Sequence, residues 1–379
     1  MKKVAMVLGQ DLLSFDESSR TYREAVALTN AGYDVTIFCW ARGLDKYETL
    51  WEEEKNGIRI VRIFQEMNNN FLSKIRGFRK AMNSLSKKIG EHNPDIVHAH
   101  NLETLDAATS VTKFSNAKLI FDIHEDWPTL KRAQNWFLGR YYAKKQKSLI
   151  KNVDAILTVS DELSTDLEKS TVLFNSEAMS VVKKPVENHR FGLNGIVVGY
   201  IGTLEKEILK GIIDAGARIN AVSLLIIGGP LENQKGYNKM IEELEHIAKE
   251  KGANTKFTGP LPYSMMNECY TACDILMVDP YSPETLRDNL IPEKLLNAMA
   301  YKIPVIVEPY KARKRIVERY KCGIVSDDWV KALTKLANDK KLRKKMGQNG
   351  FKAFEMNYTW EAQEEKLLKV YNDLFKESQ

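Results

Sequence analysis

A short segment after one predicted strand combines small residues, a predicted helix start and two cations. The strand at 196–202 ends in Gly202-Thr203-Leu204, and a helix is predicted to begin near Lys210-Gly211. A helix N-terminus offers backbone N–H groups and a partial positive charge, and Lys206 or Lys210 would add a full charge. The segment predicts a diphosphate site, and an ordinary strand-to-helix turn with surface lysines is the alternative.

Three histidines lie at or just after predicted strand ends in the first half of the chain. His98 and His100 are separated by one residue, and His124 follows Phe121-Asp122-Ile123. Two histidines at that spacing can bind a metal ion. A single histidine after a strand can be an active-site group or a loop residue with satisfied hydrogen bonds. The residues alone leave these alternatives open.

Several familiar catalytic patterns are missing from the sequence. Neither half has G-x-G-x-x-G after its first strand, which argues against a dinucleotide dehydrogenase, and there is no Walker A sequence. The four cysteines are scattered, which predicts neither a disulfide framework nor a Cys-rich zinc site. No D-x-D motif is placed to hold a metal. We therefore expect no metal and no other cofactor.

The elements that position these residues alternate between strands and helices along all 379 residues. This alternation is typical of parallel sheets with crossover helices, and the length suits two domains. We place the linker in the polar stretch 183–194. Doubly wound sheets bind ligands at the carboxyl ends of their strands, so a cleft enzyme is expected. The predicted strands are 4–8, 34–38, 58–63, 96–99, 119–122 and 155–159, then 196–202, 224–227, 255–258, 275–278 and 304–307.

Basic residues are concentrated in two segments of the first half, although the net charge is only +6. Residues 71–90 carry six basic residues and no acid, with apolar residues three and four apart, and residues 131–151 carry seven and no acid. The first segment predicts either a solvated surface helix or a contact with anionic lipid headgroups or an anionic acceptor. No motif for nucleic acid accompanies the charge, so nucleic acid is not an expected partner.

The apolar runs are short. The first, Val4–Leu8, is too short for a signal peptide, and no later run approaches the roughly 18 to 20 residues of a membrane span. We expect the protein in the cytoplasm or at the inner face of the membrane. The sequence indicates no oligomeric state.

The most distinctive block lies between residues 274 and 307. It reads DILMVDP at 274–280, NLIPEKLLNAMA at 289–300 and IPVIV at 303–307. This block is similar to the P-x-K-x-x-E-x-M-A-x-x-x-P-V-I pattern of the retaining glycosyltransferases of family 4, which have the GT-B fold. Six further segments match that family in order: DIVHAHN at 95–101, DIHE at 122–125, LTVS at 157–160, IIGGP at 226–230, FTG at 257–259 and YTW at 358–360.

The resemblance covers nearly the whole chain and implies an architecture and a reaction. It implies two Rossmann-like, doubly wound α/β domains facing across a cleft, with C-terminal helices packing back on the N-terminal domain. The acceptor side would be 1–188, the nucleotide-sugar donor side 189–355, and the crossing helix 356–379. The implied reaction moves a sugar from a nucleotide-diphosphate sugar to a glycan, a lipid-linked acceptor or a cell-surface polysaccharide.

The resemblance also implies roles for individual residues. His124 would approach the transferred sugar, Lys210 the diphosphate and Asn289 the donor sugar. The other donor-side positions are Gly202, Thr203, Lys206, Gly228, Gly229, Leu261, Arg287, Leu290, Ile291, Glu293 and Asn297. The acceptor-side positions are Gly9, Gln10, Asp11, Asn101, Glu125 and Asp126.

Three positions depart from the family pattern. The family's two acids, eight positions apart, correspond to Asn289 and Asn297, and its arginine after the first-loop glycine corresponds to Thr203. An amide can donate and accept hydrogen bonds but lacks the charge-assisted acceptance of a carboxylate. Three charged residues of the same segment could supply charge or be ordinary surface residues: Glu284, Arg287 and Glu293.

The family mechanism asks little of acidic or basic side chains. The leaving diphosphate oxygen accepts the proton of the acceptor hydroxyl on the same face of the sugar, so configuration is retained and no metal is required. The protein must align two substrates and neutralise charge on the diphosphate, a task implied for Lys210 and a helix N-terminus at Gly211. A weak or inactive partner subunit, and a nucleotide-sugar epimerase with the same fold, are the alternatives.

Overall fold

The computed structural model describes residues 1–10, 19–41, 51–65, 71–182, 191–230, 236–278 and 288–376. Most of the predicted linker, residues 183–190, lies outside these ranges. The chain divides into two compact units, one of Met1–Phe174 with Glu364–Gln379 and one of Asn175–Gln363. Each unit is an α/β unit on a largely or wholly parallel sheet, so the predicted fold class is confirmed.

The first unit is built on an eight-stranded sheet in the order β3-β4-β2-β1-β5-β6-β7-β8. All neighbouring strands run parallel except β3 and β4. The strands are β1 (Lys3–Leu8), β2 (Asp34–Ala41), β3 (Glu52–Lys55), β4 (Ile58–Phe64), β5 (Ile96–His100), β6 (Lys118–Ile123), β7 (Ala155–Thr158) and β8 (Ser170–Val172).

Strands β3 and β8 are not among the predicted strands. The sequence of β3, Glu52-Glu53-Glu54-Lys55, is mostly exposed at the sheet edge and has no apolar alternation to reveal it. Its hairpin with β4 is closed by Asn56-Gly57, whose φ angles of 54° and 73° suit a two-residue turn of the type that Asn-Gly favours. The Asn-Gly dipeptide is therefore the feature of the sequence that indicates this hairpin.

The helices of the first unit cover the faces of this sheet. They are α1 (Arg20–Asn30), α2 (Phe71–His92), α3 (Leu102–Thr112), α4 (Trp127–Gln134), α5 (Trp136–Leu149) and α6 (Asp161–Ser164). On α2, the side chains of Met82, Leu85 and Ile89 are buried in the core with β-strand residues. The apolar periodicity of this helix is therefore a core signature. Five of its basic side chains are exposed: Arg76, Arg79, Lys80, Lys87 and Lys88.

The second unit has a six-stranded, wholly parallel sheet in the order β11-β10-β9-β12-β13-β14. The strands are β9 (Ile196–Ile201), β10 (Val222–Ile227), β11 (Asn254–Gly259), β12 (Ile275–Val278), β13 (Val305–Val307) and β14 (Gly323–Val325). This order is that of the doubly wound Rossmann fold.

The helices of the second unit surround a core of aliphatic side chains from the sheet and its crossovers. They are α7 (Met179–Val182), α8 (Lys206–Ala217), α9 (Tyr237–Glu250), α10 (Met266–Thr271), α11 (Glu293–Ala300), α12 (Lys311–Tyr320), α13 (Trp329–Asn338), α14 (Lys340–Asn357) and α15 (Trp360–Asp373). Helix α15 begins in this unit and ends in the first, where Tyr371 is fully buried. Among the described residues, no helix is long and apolar enough to cross a membrane.

Candidate functional site

The strand order places a switch point in each sheet. The chain order reverses between β1 and β5 in the first unit and between β9 and β12 in the second. Ligands of doubly wound sheets bind outside the carboxyl ends of the strands at such points. Gly9 and Gln10 follow β1, Asn101 follows β5, and Gly202 follows β9. Asp11 lies outside the described residues.

A buried ion pair lies at the carboxyl end of β6. Asp122 is fully buried, and both its carboxylate oxygens accept hydrogen bonds from Arg20 at 2.9 Å. The same guanidinium donates to Glu24 at 2.6 Å and to the carbonyl of Leu173 at 2.9 Å. Although burial raises it, the pKa of Asp122 is held well below its usual range by Arg20 and His124.

Asp122 orients His124. The Nε2 atom of His124 lies 3.0 Å from Asp122 Oδ2 and 3.1 Å from His100 Nδ1. Because a carboxylate only accepts, Nε2 carries a proton, and Nδ1 of a neutral ring is an acceptor. The backbone N–H of His124 donates to Asn101 Oδ1 at 3.1 Å. The His124 side chain is 24% exposed, so this fixed ring reaches the surface of the unit.

The two strand histidines are neutral members of the same cluster. Burial lowers the pKa of His98 to about 4 and that of His100 well below its usual value. Nδ1 of His98 lies 2.9 Å from the hydroxyl oxygen of Tyr371. Burial also raises the pKa of Glu24 to about 7, although Arg20 opposes that shift. The cluster contains the polar groups that sequence reasoning missed, Arg20 and Glu24.

This cluster resembles a set of metal ligands by distance. The ligand atoms of Glu24, His98, His100 and Asp122 lie within 4.8 Å of one another. However, Arg20 already binds both carboxylates. A guanidinium repels a metal ion at the same oxygens. The donor set therefore suits a buried ion-pair network.

The other described residues predicted for the first unit are a glycine beside a carboxylate, a helix cap and two exposed side chains. A Cβ atom at Gly9 would lie 1.9 Å from Glu103 Oε1, so a larger residue at position 9 would displace the Glu103 side chain. Asp126 accepts a hydrogen bond from the backbone N–H of Thr129 at 3.1 Å and caps α4. Glu125 and Gln10 are exposed.

In the second unit, two glycine turns touch each other. Gly202 and Gly228 have φ angles of +142° and +149°, and a Cβ atom at Gly228 would lie 1.6 Å from the Gly202 carbonyl oxygen. The N–H of Gly202 donates to Ile227 at 2.9 Å, and that of Leu204 donates to Gly229 at 3.0 Å. The turns after β9 and β10 therefore form one backbone layer that excludes side chains.

Lys294 brings a cation to this layer. A Cβ atom at Gly202 would lie 2.5 Å from Lys294 Nζ, and the same ammonium lies 5.0 Å from the Tyr200 ring centroid. Lys294 is in the first turn of α11, whose N-terminal N–H groups carry partial positive charge. Sequence reasoning quoted this lysine in the family pattern but assigned it no role.

The predicted helix start at Lys210-Gly211 is wrong. Helix α8 begins at Lys206, and Glu205 gives no side-chain cap, so the start lacks the Ser, Thr, Asp or Asn signal that marks it in sequence. Gly211 lies inside α8, where a Cβ atom would meet the Trp329 ring at 2.8 Å. It is a helix-packing glycine.

The two lysines of α8 pair with neighbouring carboxylates. Lys210 Nζ lies 3.0 Å from Glu207 Oε1 on the same helix, and Lys206 pairs with Glu243 on α9. The structure thus brings Lys294 to the glycine turns and places Lys206 and Lys210 in ion pairs with carboxylates of α9 and α8.

Asn297 is buried next to aromatic side chains. Its Nδ2 lies 3.3 Å from the Tyr270 hydroxyl, and Tyr270 stacks on Tyr301 with centroids 5.1 Å apart. Asn297 Oδ1 has no hydrogen-bond partner among the described residues. Burial raises the pKa of Tyr270 above its ordinary value, so this hydroxyl stays neutral. Residue 297 is therefore a neutral side chain at the position where the family has an acid.

The other donor-side residues surround α11 and the turns. Glu293, one helical turn before Asn297, accepts a hydrogen bond from Asn175 at 3.1 Å. Five predicted positions are half-buried or partly exposed near strand and helix ends: Thr203, Leu261, Asn289, Leu290 and Ile291. Arg287 and Glu284 lie outside the described residues.

Two family models match the two halves of the chain. Glycosyltransferase Family 4 matches residues 18–187, and Glycosyl transferases group 1 matches residues 183–353. Together they span most of the sequence, so the chain belongs to the group 1 glycosyltransferases, which have the GT-B fold. The resemblance inferred from the motifs is confirmed, and the protein is a glycosyltransferase.

Solved structures with the same fold cover nearly the whole chain. Sucrose-phosphate synthase from Thermosynechococcus elongatus is 15% identical with a TM-score of 0.79, and 99% of each chain is covered. HepE from Anabaena, in complex with UDP, is 15% identical with a TM-score of 0.75, covering 98% of this chain and 100% of that one. WaaG, a glycosyltransferase involved in lipopolysaccharide biosynthesis, is 14% identical with a TM-score of 0.68, covering 97% and 99%. No curated protein sequence matches the chain.

Proposed function

We propose that the protein transfers a sugar from a nucleotide-diphosphate sugar to a hydroxyl of a glycan or lipid-linked acceptor, with retention of configuration. The observation that carries this proposal is the glycine layer of Gly202 and Gly228 beside the Lys294 ammonium. Backbone without side chains, a helix N-terminus and one cation suit a diphosphate. HepE, which has the same fold, binds UDP, and this supports a nucleotide sugar as the donor.

Asn297 would recognise the nucleoside part of the donor. Its buried Oδ1 lacks a partner among the described residues, and buried acceptors are nearly always hydrogen-bonded. A ribose hydroxyl can donate to this oxygen. Because Asn297 is neutral, it adds no negative charge near the diphosphate, and its hydrogen bond is weaker than that of the usual carboxylate.

His124 would act on the sugar side. The proton on its Nε2 is directed at Asp122 and His100, so Nδ1 can accept a hydrogen bond from a sugar hydroxyl. In this mechanism the leaving diphosphate oxygen takes the proton of the acceptor hydroxyl. The protein aligns the substrates and needs no resident metal.

Titration with UDP-, GDP-, ADP- and TDP-sugars tests the proposal. A donor that binds the folded state should raise the melting temperature, and added acceptor should then release nucleoside diphosphate. The anomeric coupling constant of the product should match that of the donor. An inverted product would contradict retention, and the absence of a melting shift with every donor would contradict the donor site.

The neutral amide of Asn297, at a position where the family has an acid, favours a second candidate, a weak or inactive partner subunit of a related transferase. Donor binding without turnover, across lipid-linked and soluble acceptors, would support that role. Interconversion of donor epimers without an acceptor would instead support an epimerase.

A further inference from the structure

Helices α4 and α5 form a tight hairpin in the first unit. Asn135 ends α4 and begins α5, and its Oδ1 accepts hydrogen bonds from the N–H groups of Phe137 at 2.9 Å and Leu138 at 3.2 Å. A Cβ atom at Gly139 would lie 2.5 Å from Arg132 Cβ, so the two helices contact each other closely there. The first turn of α5 is therefore held in place by local bonds.

This first turn exposes large apolar side chains. Trp136 is 53% exposed, Phe137 75%, Leu138 38% and Tyr141 58%. The described residues contain only eight exposed large apolar side chains, and half of them fall within these six positions. Scattered exposed apolar residues are normal, whereas a cluster of them indicates a binding surface.

Cations surround the aromatic side chains. The guanidinium of Arg140 lies 4.8 Å from the Trp136 ring centroid, and Arg132, Lys144 and Lys147 are also exposed. Phe137, Arg140 and Lys144 are three or four positions apart and share one face of α5. Residues 131–151 include seven basic residues and no acid. The complementary surface must therefore be apolar and negatively charged.

An anionic lipid surface has both properties. Tryptophan and tyrosine prefer the headgroup level of a bilayer, and lysine and arginine near the surface are attracted to anionic lipids, by about 1 kcal/mol each. A second copy of the chain would place two basic segments against each other and repel. Nucleic acid would satisfy the charge but would leave the aliphatic Leu138 uncompensated.

The basic helix α2 presents exposed cations without an exposed apolar group among its described side chains. Its apolar side chains Met82, Leu85 and Ile89 are buried in the core, so the cations are the part of its described surface that a membrane could contact. The first turn of α5 presents aromatic rings and cations together.

We propose that this surface, which we name the α5 patch, docks the first unit on an anionic membrane. The α5 patch consists of Arg132, Trp136, Phe137, Leu138, Arg140, Tyr141, Lys144 and Lys147. The rings enter the headgroup region and the cations contact lipid phosphates around them. The proposal goes beyond the transferase activity and does not rest on it, because lipid binding is measured without any sugar.

Cosedimentation with vesicles tests the α5 patch. The full chain should bind vesicles of phosphatidylglycerol and phosphatidylcholine in equal parts far better than phosphatidylcholine alone. The double variant Trp136→Ser with Phe137→Ser should bind the mixed vesicles about tenfold more weakly or worse, because both rings that enter the headgroup region are lost. Failure of the full chain to bind mixed vesicles at low salt would overturn the proposal.

A matched control uses another exposed aromatic residue. Phe114 is 86% exposed and lies outside the α5 patch, and Lys113 Nζ lies 5.7 Å from its ring centroid. Phe114→Ser should leave vesicle binding unchanged. Equal losses in Phe114→Ser and in the double variant would show a nonspecific effect and overturn the proposal.

A conservative variant separates folding from docking. Trp136→Phe keeps an aromatic ring, so it should retain most vesicle binding but lose the blue shift of tryptophan fluorescence that the full chain shows on binding. An unchanged blue shift in Trp136→Phe would mean that Trp136 does not enter the lipid, and would overturn the proposal.

Charge reversal compares the α5 patch with α2. Arg140→Glu with Lys144→Glu should lower binding to mixed vesicles more than Arg79→Glu with Lys80→Glu. The reverse order would assign the contact to α2 and overturn the proposal. A self-associating wild type that becomes monomeric in the Trp136→Ser, Phe137→Ser variant, without a change in vesicle binding, would assign the α5 patch to a second copy.

Discussion

The two switch points hold their polar groups by different physical means. In the first unit, Arg20 fixes Asp122 and Asp122 fixes His124 through buried, charged hydrogen bonds. In the second unit, Gly202 and Gly228 bring two backbone turns into contact. Buried charges are sensitive to pH and to loss of a partner, whereas touching backbones are sensitive to added volume. The two regions should therefore fail under different perturbations.

Adding one methyl group to the glycine layer should have the largest effect. Gly228→Ala places a Cβ atom against the Gly202 carbonyl at a backbone angle that alanine resists. We expect a loss of about 4 kcal/mol or more in the free energy of unfolding, together with loss of donor binding. Gly229→Ala is the control, since its Cβ atom would meet Pro260 at an ordinary 3.4 Å. Similar melting curves for both variants would contradict the layer.

Breaking the Arg20–Asp122 ion pair of the first unit should have the second-largest effect. Asp122→Asn removes the carboxylate that accepts two hydrogen bonds from the buried Arg20 and leaves Arg20 paired with Glu24, which should cost about 3 kcal/mol in urea unfolding. It also removes the group that orients His124, so turnover should fall in the folded fraction. Asp126→Ala removes only a helix cap and should cost about 1 kcal/mol. A smaller loss in Asp122→Asn than in Asp126→Ala would show that Arg20 needs no carboxylate at residue 122.

Acid should weaken the first unit. Folding lowers the pKa of His98 from its usual value near 6.5 to about 4, and it lowers the pKa of His100 well below its usual value. On acidification the unfolded chain therefore binds one proton at each histidine, whereas the folded chain binds neither. Glu24 has its pKa raised to about 7, so it binds a proton in the folded chain between about pH 7 and 4.5, which opposes the histidines. The net difference is about one proton, so the free energy of unfolding should fall by about 1.4 kcal/mol per pH unit on acidification from pH 6.5 to 4.5.

Two variants sharpen this pH dependence. His98→Asn removes a group that binds a proton in the unfolded chain alone, so the free energy of unfolding should depend less steeply on pH. Glu24→Gln removes the group that binds a proton in the folded chain alone, so the dependence should become steeper. Urea unfolding at several pH values measures both slopes. A slope that is the same in wild type and both variants would exclude this cluster as the source.

Replacing one of two lysines of the second unit should have the smallest effect, a change in the affinity for UDP. Lys294→Ala should raise the dissociation constant for UDP about tenfold, because one charged contact to phosphate is worth about 1.4 kcal/mol. Lys210→Ala should change it little, since Lys210 pairs with Glu207 on its own helix. If Lys210→Ala gives the larger loss, the role that the family resemblance implies for Lys210 is correct and our role for Lys294 is not. Melting temperatures of both variants without ligand provide the control for folding.

The sequence predicts the sheets better than the site. Runs such as Val4–Leu8 and Ile275–Val278 are buried strands whose apolar residues identify them locally. The Arg20–Asp122 pair joins residues 102 positions apart, and no local pattern reveals it. The helix start at Lys206 lacks a cap signal, and the direction of Lys294 depends on packing against Tyr200. The resemblance of the motifs to the family indicated His124 as a site residue. The hydrogen bond from its ring to Asp122 became known only from the structure.

The path of the last helix has a consequence for how the protein is made. Tyr371, which is fully buried in the first unit beside His98, is translated after every residue of the second unit. The first unit therefore cannot complete its interior until the second unit has been translated, even though the sheet of the first unit is translated first. The second unit, whose residues are continuous from Asn175 to Gln363, has its whole chain available earlier. A chain cut short after Gln363 should keep the second unit folded and leave the first unit open to proteolysis.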